Sequence, residues 1–570
     1  MTPTPTAVTA TVLRQPATGA NTGANMGATT GDGPAPRTRG RLVTAGLLLS
    51  GVAVMLLGYV RMARTNGTTA DGAANALQAW DLLHGNVGLR GWTLSDVSFY
   101  PTELVQYALL ELVYGLDEDV VHLAAAITYV LLIVCAALVA RGPAGDRATT
   151  RAAWARVAVV VAVLLVPEPQ AGWAIVLCNP DHTGTAVPLL VTALLIDRRA
   201  ALGRWWPVAV TALLTIAQVA DPLAMYIGAL PLATVSALRL LRALRSRTER
   251  GTDAPLLGAA VASVVLAHAA VRLIGLAGGY RVHSPIAKFT TWDAVPGHLV
   301  MLMRTTTLNY GAYFPRLGAG TPALTVLNHA VGAVKLVLML AALAATVVTV
   351  ARLLGRRGHG DRVAQWLAVA IAVNLAAFVA STQAADMASA RQVVAVLPFG
   401  AVLAARVFGD RGAALWAAPR RAGRIAWRAT AFAVAALLVT SFGVHAALAR
   451  PAPPEAAEAA AWLERHDLRY GIGAYWASHT VTVVTDGRVR VAPVAGPVPR
   501  AFHWESKEQW YDPRRHDARF LIVDRTLEQY GTLSGANERF GPPVGRVDLE
   551  RWTILVYDHN LLDDLPRDRR

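Results

Sequence analysis

Apolar runs of close to twenty residues, with few or no charges inside them, recur along most of this chain. A helix needs about 20 such residues to cross roughly 30 Å of hydrocarbon, and lipid leaves no other way to satisfy the backbone of a non-barrel chain. The sequence therefore predicts a polytopic α-helical membrane protein. The first run, "LVTAGLLLSGVAVMLLGYV" at 42–60, follows Arg37, Arg39 and Arg41. "RMARTNG" comes next in place of a small-residue cleavage site, so this is an uncleaved span and not a signal peptide. Further runs at 120–140, 156–176, 183–196, 206–220, 223–241, 255–275, 331–351, 363–381, 393–409 and 429–448 bring the expectation to about eleven transmembrane helices.

Charge orients these spans. With the N-terminus inside, every inner loop is rich in arginine, from Arg141, Arg147, Arg151 and Arg156 through Arg198, Arg199 and Arg204 to Arg420, Arg421, Arg424 and Arg428. Cytoplasmic loops carry such an excess. The formal charge of +15 thus reports topology, and no nucleic acid partner is expected. Lysine occurs only as Lys288, Lys335 and Lys507 in a chain dominated by Ala, Val and Leu, the bias of a GC-rich, for instance actinobacterial, genome. Cys135 and Cys178 offer no disulfide framework and no thiolate metal site.

Three domains follow. Residues 1–40, rich in Thr, Gly, Ala and Pro, cannot bury enough surface to offset ordering and form a disordered cytoplasmic tail. Residues 41–449 are the transmembrane domain, with outer loops at 61–119 and 276–330. Residues 450–570 open on "RPAPPEAAEAAAWLERHDL" and then read as strand-like runs, "HTVTVVT", "RVRVAPV", "ARFLIVD" and "WTILVYD", separated by turn residues. That pattern predicts an extracytoplasmic α/β domain. In it Trp476, Trp504, Trp510 and Tyr511 are candidates to stack on sugar rings, as an acceptor-binding or lid domain would use them; a purely structural role stays open.

The first outer loop begins "DGAANALQAWDLLHGN" at 71–86. Ala73, Ala76, Leu77, Trp80, Leu83 and His84 recur at helical spacing, which predicts an amphipathic helix lying along the outer leaflet with Asp71 at its head. Read locally, Asp71 is an N-cap acid. A second such helix follows in "SDVSFYPTELVQYALLELVYGL" at 95–116, which contains Asp96.

Asp71 soon after the first span, Ala79 eight positions on, Leu82, Leu83 and Gly85 resemble the first outer loop of GT-C fold glycosyltransferases, such as the protein O-mannosyltransferases and the aminoarabinose transferases of lipid A. In motif the resemblance covers residues 71–85, and it has Gly72 where that family carries a second acid. It implies a GT-C-like membrane domain, a catalytic acid at Asp71, a polyprenyl-phosphate-linked sugar as donor, and a further acid in the next outer loop that orients the acceptor or a metal. "CNPDHTGTAVPLL" supplies Asp181 and His182 there.

Other polar residues cluster at outer span ends. Asp221 precedes Pro222 and reads as a turn. Asp386 comes with Ser389 and Arg391; either the two charges pair, or Arg391 is a phosphate ligand, whose planar guanidinium suits phosphate oxygens. In loop 276–330, Arg281, His283, Lys288, Arg304 and Arg316 run against the positive-inside preference and suggest an anionic ligand or lipid headgroups.

Transfer from a lipid phosphate requires a base for the acceptor hydroxyl and cations for the leaving phosphate. Asp71 is the candidate base, Arg391 with Lys288 or Arg304 the phosphate-binding set, Asp181 and His182 the acceptor- or metal-orienting pair, and Asp96 and Asp386 supporting acids. No cofactor is certain and a divalent cation stays open. The expected partners are a polyprenyl-phosphate sugar, a glycan, lipid or protein acceptor, and membrane lipids, at the plasma membrane. Two alternatives stand beside a glycosyltransferase: a non-catalytic envelope assembly protein with the same fold, and a lipid or sugar transporter.

Overall fold

The computed structural model describes residues 36–566 apart from 143–146, 170, 247–250, 285–286, 319, 356–359 and 417–420. Of the expected disordered tail, residues 1–35 lie outside the described residues, and Pro36 begins a helix that runs Pro36–Ala63. The chain divides into two compact units, one up to Val52 and one from Ala53. In the first, Leu42, Val43, Leu47, Leu48 and Leu49 are all exposed, as a lipid-facing span requires.

In the second unit every later apolar run is at least partly helical. Among the described residues of the whole chain, seven helices are long and apolar enough to cross a membrane. An eighth span results if Met387–Val393 and Val396–Leu415, which meet at a bend of 50°, count as one. The shortfall from eleven has physical causes. Helix Trp206–Ala220 has 15 residues, about 22 Å at 1.5 Å per residue, and Asp181–Asp197 has 17. Pro167 and Pro169 interrupt the run at 156–176, which becomes helices Arg147–Leu164 and Ala171–Val176. Helix Asp119–Arg141 is central, packed against Arg147–Leu164, Asp181–Asp197 and Val396–Trp416. The chain is a mostly helical multi-pass membrane protein with a C-terminal sheet region.

The two amphipathic segments of the first outer loop form helices Ala70–Leu83 and Glu103–Tyr114, with one reversal. Helix Ala70–Leu83 does not lay its apolar stripe on lipid: Ala70 and Gly72 to Ala79 are buried, against Glu103–Tyr114, helix Tyr475–Val484 and Asp119–Arg141. Small alanines allow this close approach on several sides. The helix that presents apolar side chains outward is Glu103–Tyr114, through Val105, Leu109, Leu112 and Val113.

Among the described residues nine strands build two sheets. β3 (Tyr470–Ala474), β4 (Arg490–Ala495), β5 (Arg500–Ala501), β7 (Phe520–Asp524), β8 (Gly545–Asp548) and β9 (Trp552–Val556) form a six-stranded sheet of order β5-β4-β3-β7-β9-β8. β3 is parallel to β4 and β7, and the other pairs are antiparallel. "HTVTVVT", expected as a strand, lies in helix Tyr475–Val484. Parallel neighbours need a crossover, and this segment is the crossover from β3 to β4. Its threonines bond back along the helix, Thr482 Oγ1 to Ser478 O at 3.0 Å and Thr485 Oγ1 to Val481 O at 2.8 Å, which satisfies hydroxyls that β-propensity alone would place in a sheet. The true strand is the glycine-rich "YGIGA". A Cβ at Gly471 would come within 2.5 Å of the Phe520 ring, so close strand packing removed the usual strand signature there.

The second sheet is small, of order β2-β1-β6, from β1 (Trp92–Leu94), β2 (Arg281–Val282) and β6 (Ser506–Lys507). Thr93 pairs with Arg281 on one side and with Ser506 on the other. It joins the first outer loop, the second outer loop and the C-terminal region, so all three stand on one side of the helical bundle.

Candidate functional site

Thr69 caps helix Ala70–Leu83, its hydroxyl accepting from Gly72 N–H. Asp71 is therefore not the N-cap; it sits in the first turn with its carboxylate free to face other elements. Tyr475 Oη lies 2.6 Å from Asp71 Oδ1, and Arg391 Nη1 lies 3.6 Å from Asp71 Oδ2. The Asp71 side chain is 24% exposed and that of Arg391 46%, so the pair opens to the surroundings on one side only.

Tyr475 is buried at the start of helix Tyr475–Val484, and its hydroxyl also lies 2.8 Å from Oε2 of the buried Glu505. A phenol has one proton to donate. Burial, and then the charges of Asp71 and Glu505, push the Tyr475 phenol well above its ordinary 10.0, so it remains a donor at neutral pH.

Arg391 is carried by the short 3-10 segment Met387–Val393 at the bend before Val396–Leu415. Irregular backbone at a span end needs internal partners. Asn309 Nδ2 donates to Ala390 O at 2.9 Å and Asn374 Nδ2 to Gln392 O at 3.0 Å. Asp386 does not pair with Arg391: it caps the segment, accepting from Ala388 N–H at 2.9 Å and Ser389 N–H at 3.2 Å. Its part is to fix the turn from which Arg391 projects.

Lys288 and Arg304 are exposed and flank that segment. The Lys288 backbone bonds Thr382, N–H to Oγ1 at 3.2 Å and O from N–H at 2.9 Å. Arg304 belongs to helix Val295–Asn309, which packs on Met387–Val393. Neither side chain has a hydrogen bond or ion pair among the described residues, and neither touches Asp71.

His182 is committed elsewhere. Its Nδ1 lies 2.7 Å from Oδ2 of buried Asp221, which also accepts from the Thr185 hydroxyl, while Leu223 N–H donates to Oδ1 at 2.8 Å. Asp221 is thus more than a turn residue. Asp181 begins helix Asp181–Asp197, and its side chain lies outside the described residues. The preceding loop adjoins the turn of Asp71: a Cβ at Gly72 would lie 3.6 Å from Asn179 Cβ. Asp96 follows β1, half-buried, with no bond to Asp71, Tyr475 or Arg391 among the described residues.

Among the described residues no three His, Cys, Asp or Glu side chains gather as a metal site, and Asp71 has a guanidinium where a cation's charge would act. The side chain of Asp181, the other expected ligand, lies outside the described residues.

Tyr475 and Glu505 are the residues that sequence reasoning missed. Tyr475 follows directly on the carboxyl end of parallel strand β3, where open α/β sheets place functional groups, but the glycines of that strand hid it. Glu505 had none.

The chain superposes on ArnT from Cupriavidus metallidurans, solved with undecaprenyl phosphate bound, with a TM-score of 0.50 over 92% of this chain and 99% of that one, at 13% identity. The chain has the GT-C fold. A second GT-C likeness is to the archaeal oligosaccharyltransferase AglB from Archaeoglobus fulgidus, solved with an inhibitory peptide and a dolichol-phosphate, at 14% identity and TM-score 0.44 over 84% of this chain and 69% of that one. No protein-family model matches the sequence, and comparison with curated proteins gave no match.

Proposed function

We propose that this protein is a membrane glycosyltransferase that moves a sugar from a polyprenyl-phosphate donor to an extracytoplasmic glycan, lipid or protein acceptor. The observation that carries the reading is the 3.6 Å approach of Arg391 to Asp71 at the bend of a span: a carboxylate and a phosphate-binding cation side by side. Asp71 takes the proton of the acceptor hydroxyl as its oxygen bonds the anomeric carbon. The bond from that carbon to the phosphate oxygen breaks, and the charge on the departing lipid phosphate is taken by Arg391. Attack opposite to the leaving group inverts the anomeric centre. Tyr475 holds Asp71 in place, and Lys288 and Arg304 add positive charge on the flanking elements. Asp181, beside the turn of Asp71, orients the acceptor; His182 and Asp386 act through the backbone and side chains they fix.

The same reading places the chain in the plasma membrane, with its N-terminus cytoplasmic, residues 41–449 as the membrane domain, and loops 61–119 and 276–330 outside with domain 450–570. The arginine-rich alternate loops support this orientation, as does the small sheet that draws one strand from each of the three pieces. The test is transfer by the purified protein of label from polyprenyl-phosphate sugars to a cell-envelope extract. Transfer is expected from the wild type and not from Asp71→Asn; full activity in that variant would overturn the role of Asp71.

A further inference from the structure

Away from Asp71, helix Ala70–Leu83 and the C-terminal region enclose a cleft of about 280 Å³. One wall is Leu77, Trp80 and Asp81 with Trp92; the other is Tyr470, Arg490, Trp510, Arg515 and His516. We propose that this cleft binds an anionic saccharide.

The charges are the first argument. Lys507 is neutralised by Asp81, its Nζ 2.9 Å from both carboxylate oxygens. Asp486 is held by Arg488 at 2.7 Å, and Arg515 by Asp512 at 3.4 Å. The side chain of Arg490, exposed at the start of β4, has no hydrogen bond or ion pair among the described residues. With the other lining charges paired, its guanidinium is the cation left for a ligand, and a planar fork of N–H donors suits a carboxylate or phosphate. His516 stacks on Tyr470 with ring centroids 4.2 Å apart. Burial, then the nearby Arg490 and Arg515, lower its pKa, so it faces a ligand neutral, able to donate and accept.

The aromatic walls are the second argument. Trp92 and Trp510 meet edge to face at 5.1 Å, and with Trp80 and Tyr470 they give apolar surface interleaved with Gln509 and Thr482. Aromatic rings set among polar and charged side chains suit a saccharide, whose ring faces are apolar and whose rim is hydroxyls, and the volume lies just under the lower end of small-molecule sites, about 300 Å³. One free cation among the described lining residues is too few for a nucleic acid, whose binding rests on many phosphate contacts.

Position gives the ligand a use. Asp81 is ten residues beyond Asp71 on one helix, about 15 Å along its axis, too far for chemistry but suited to the body of an acceptor whose end reaches Asp71. This last step rests on the transferase reading; the binding itself does not.

The test is titration of the full-length protein in nanodiscs, followed by tryptophan fluorescence and calorimetry, with four probes: a uronic-acid tetrasaccharide, glucose 6-phosphate, a neutral tetrasaccharide and inorganic phosphate. One of the two acidic saccharides is expected to bind, which tells a carboxylate from a phosphate. The neutral sugar should bind at least about tenfold more weakly, as should the acidic one to Arg490→Gln. Asp71→Asn should bind as the wild type does. Equal binding of neutral and acidic sugars, unaltered affinity in both Arg490→Gln and Arg515→Gln, or binding of phosphate alone would overturn the inference. Acidic-sugar binding without any transfer overturns the transferase reading and leaves this one standing; transfer without such binding does the reverse.

Discussion

Replacing Tyr475 by Phe removes one oxygen and keeps the ring, so the packing of Tyr475 against Phe502 and His479 is retained. What is lost is the donor 2.6 Å from Asp71 and the contact 2.8 Å from Glu505. A hydrogen bond to a charged group contributes roughly 1.5–3 kcal/mol. If that sum serves to hold Asp71 against the acceptor, turnover should fall by about 10- to 200-fold at 1.4 kcal/mol per decade. The assay is steady-state transfer from a labelled polyprenyl-phosphate sugar. The drop belongs in kcat, with KM for the donor changed little, because in the proposed mechanism the donor phosphate meets Arg391 and not Tyr475. The same substitution has a stability signature. The folded phenol has its pKa raised above the ordinary 10.0, so the folded state holds its proton where the unfolded chain releases it. Its contribution is complete below pH 10 and is lost as pH rises past that value towards the folded pKa. Tyr475→Phe should therefore flatten the alkaline fall in melting temperature. An unchanged kcat together with an unchanged alkaline fall would refute the idea that this hydroxyl positions Asp71.

Arg391→Ala should cut turnover by about 10²- to 10³-fold, as loss of a charge-stabilising donor does, with Arg391→Lys recovering part of it; equal losses in the two would show that charge is not the point. Gly72→Asp should lower the melting temperature, because a Cβ there comes within 2.6 Å of Val121 Cγ1, an overpacking cost of about 1–3 kcal/mol. Buried His479 has its pKa pushed down to about 4, so stability should be full above its ordinary 6.5 and fall as pH drops towards about 4; His479→Gln should remove that fall in acid melts. Lys507→Ala should loosen the C-terminal region from helix Ala70–Leu83 by about 1–3 kcal/mol, since it leaves half-buried Asp81 without its cation, and limited proteolysis after residue 450 should report it.

The helical, multi-pass character was legible because it depends on run length, which is local in sequence. The span count was less so, since Pro167 and Pro169 break one run and two others stop short of the hydrocarbon thickness. Helix Ala70–Leu83 was found by its periodicity, but periodicity gives only which face is apolar, not whether lipid or protein covers it. In the C-terminal region, valine and threonine misled at 479–485 because chain connectivity between parallel strands outweighed propensity, and glycine hid β3. Asp71 was singled out from the resemblance alone, whereas its partner Tyr475 is 404 positions away, a separation that no local pattern can bridge.

That separation also orders events in time. β1 pairs with strands from residue 281 onward and from residue 506 onward, so the three-stranded sheet closes only after nearly all of the chain has been made. Loops of that span close late and slowly. A nascent protein can have its helices threaded through the bilayer while Asp71 still lacks the phenol that fixes it, and such a precursor is expected to be inert towards lipid-linked sugar. Docking of the last segment is then the assembly step on which competence waits.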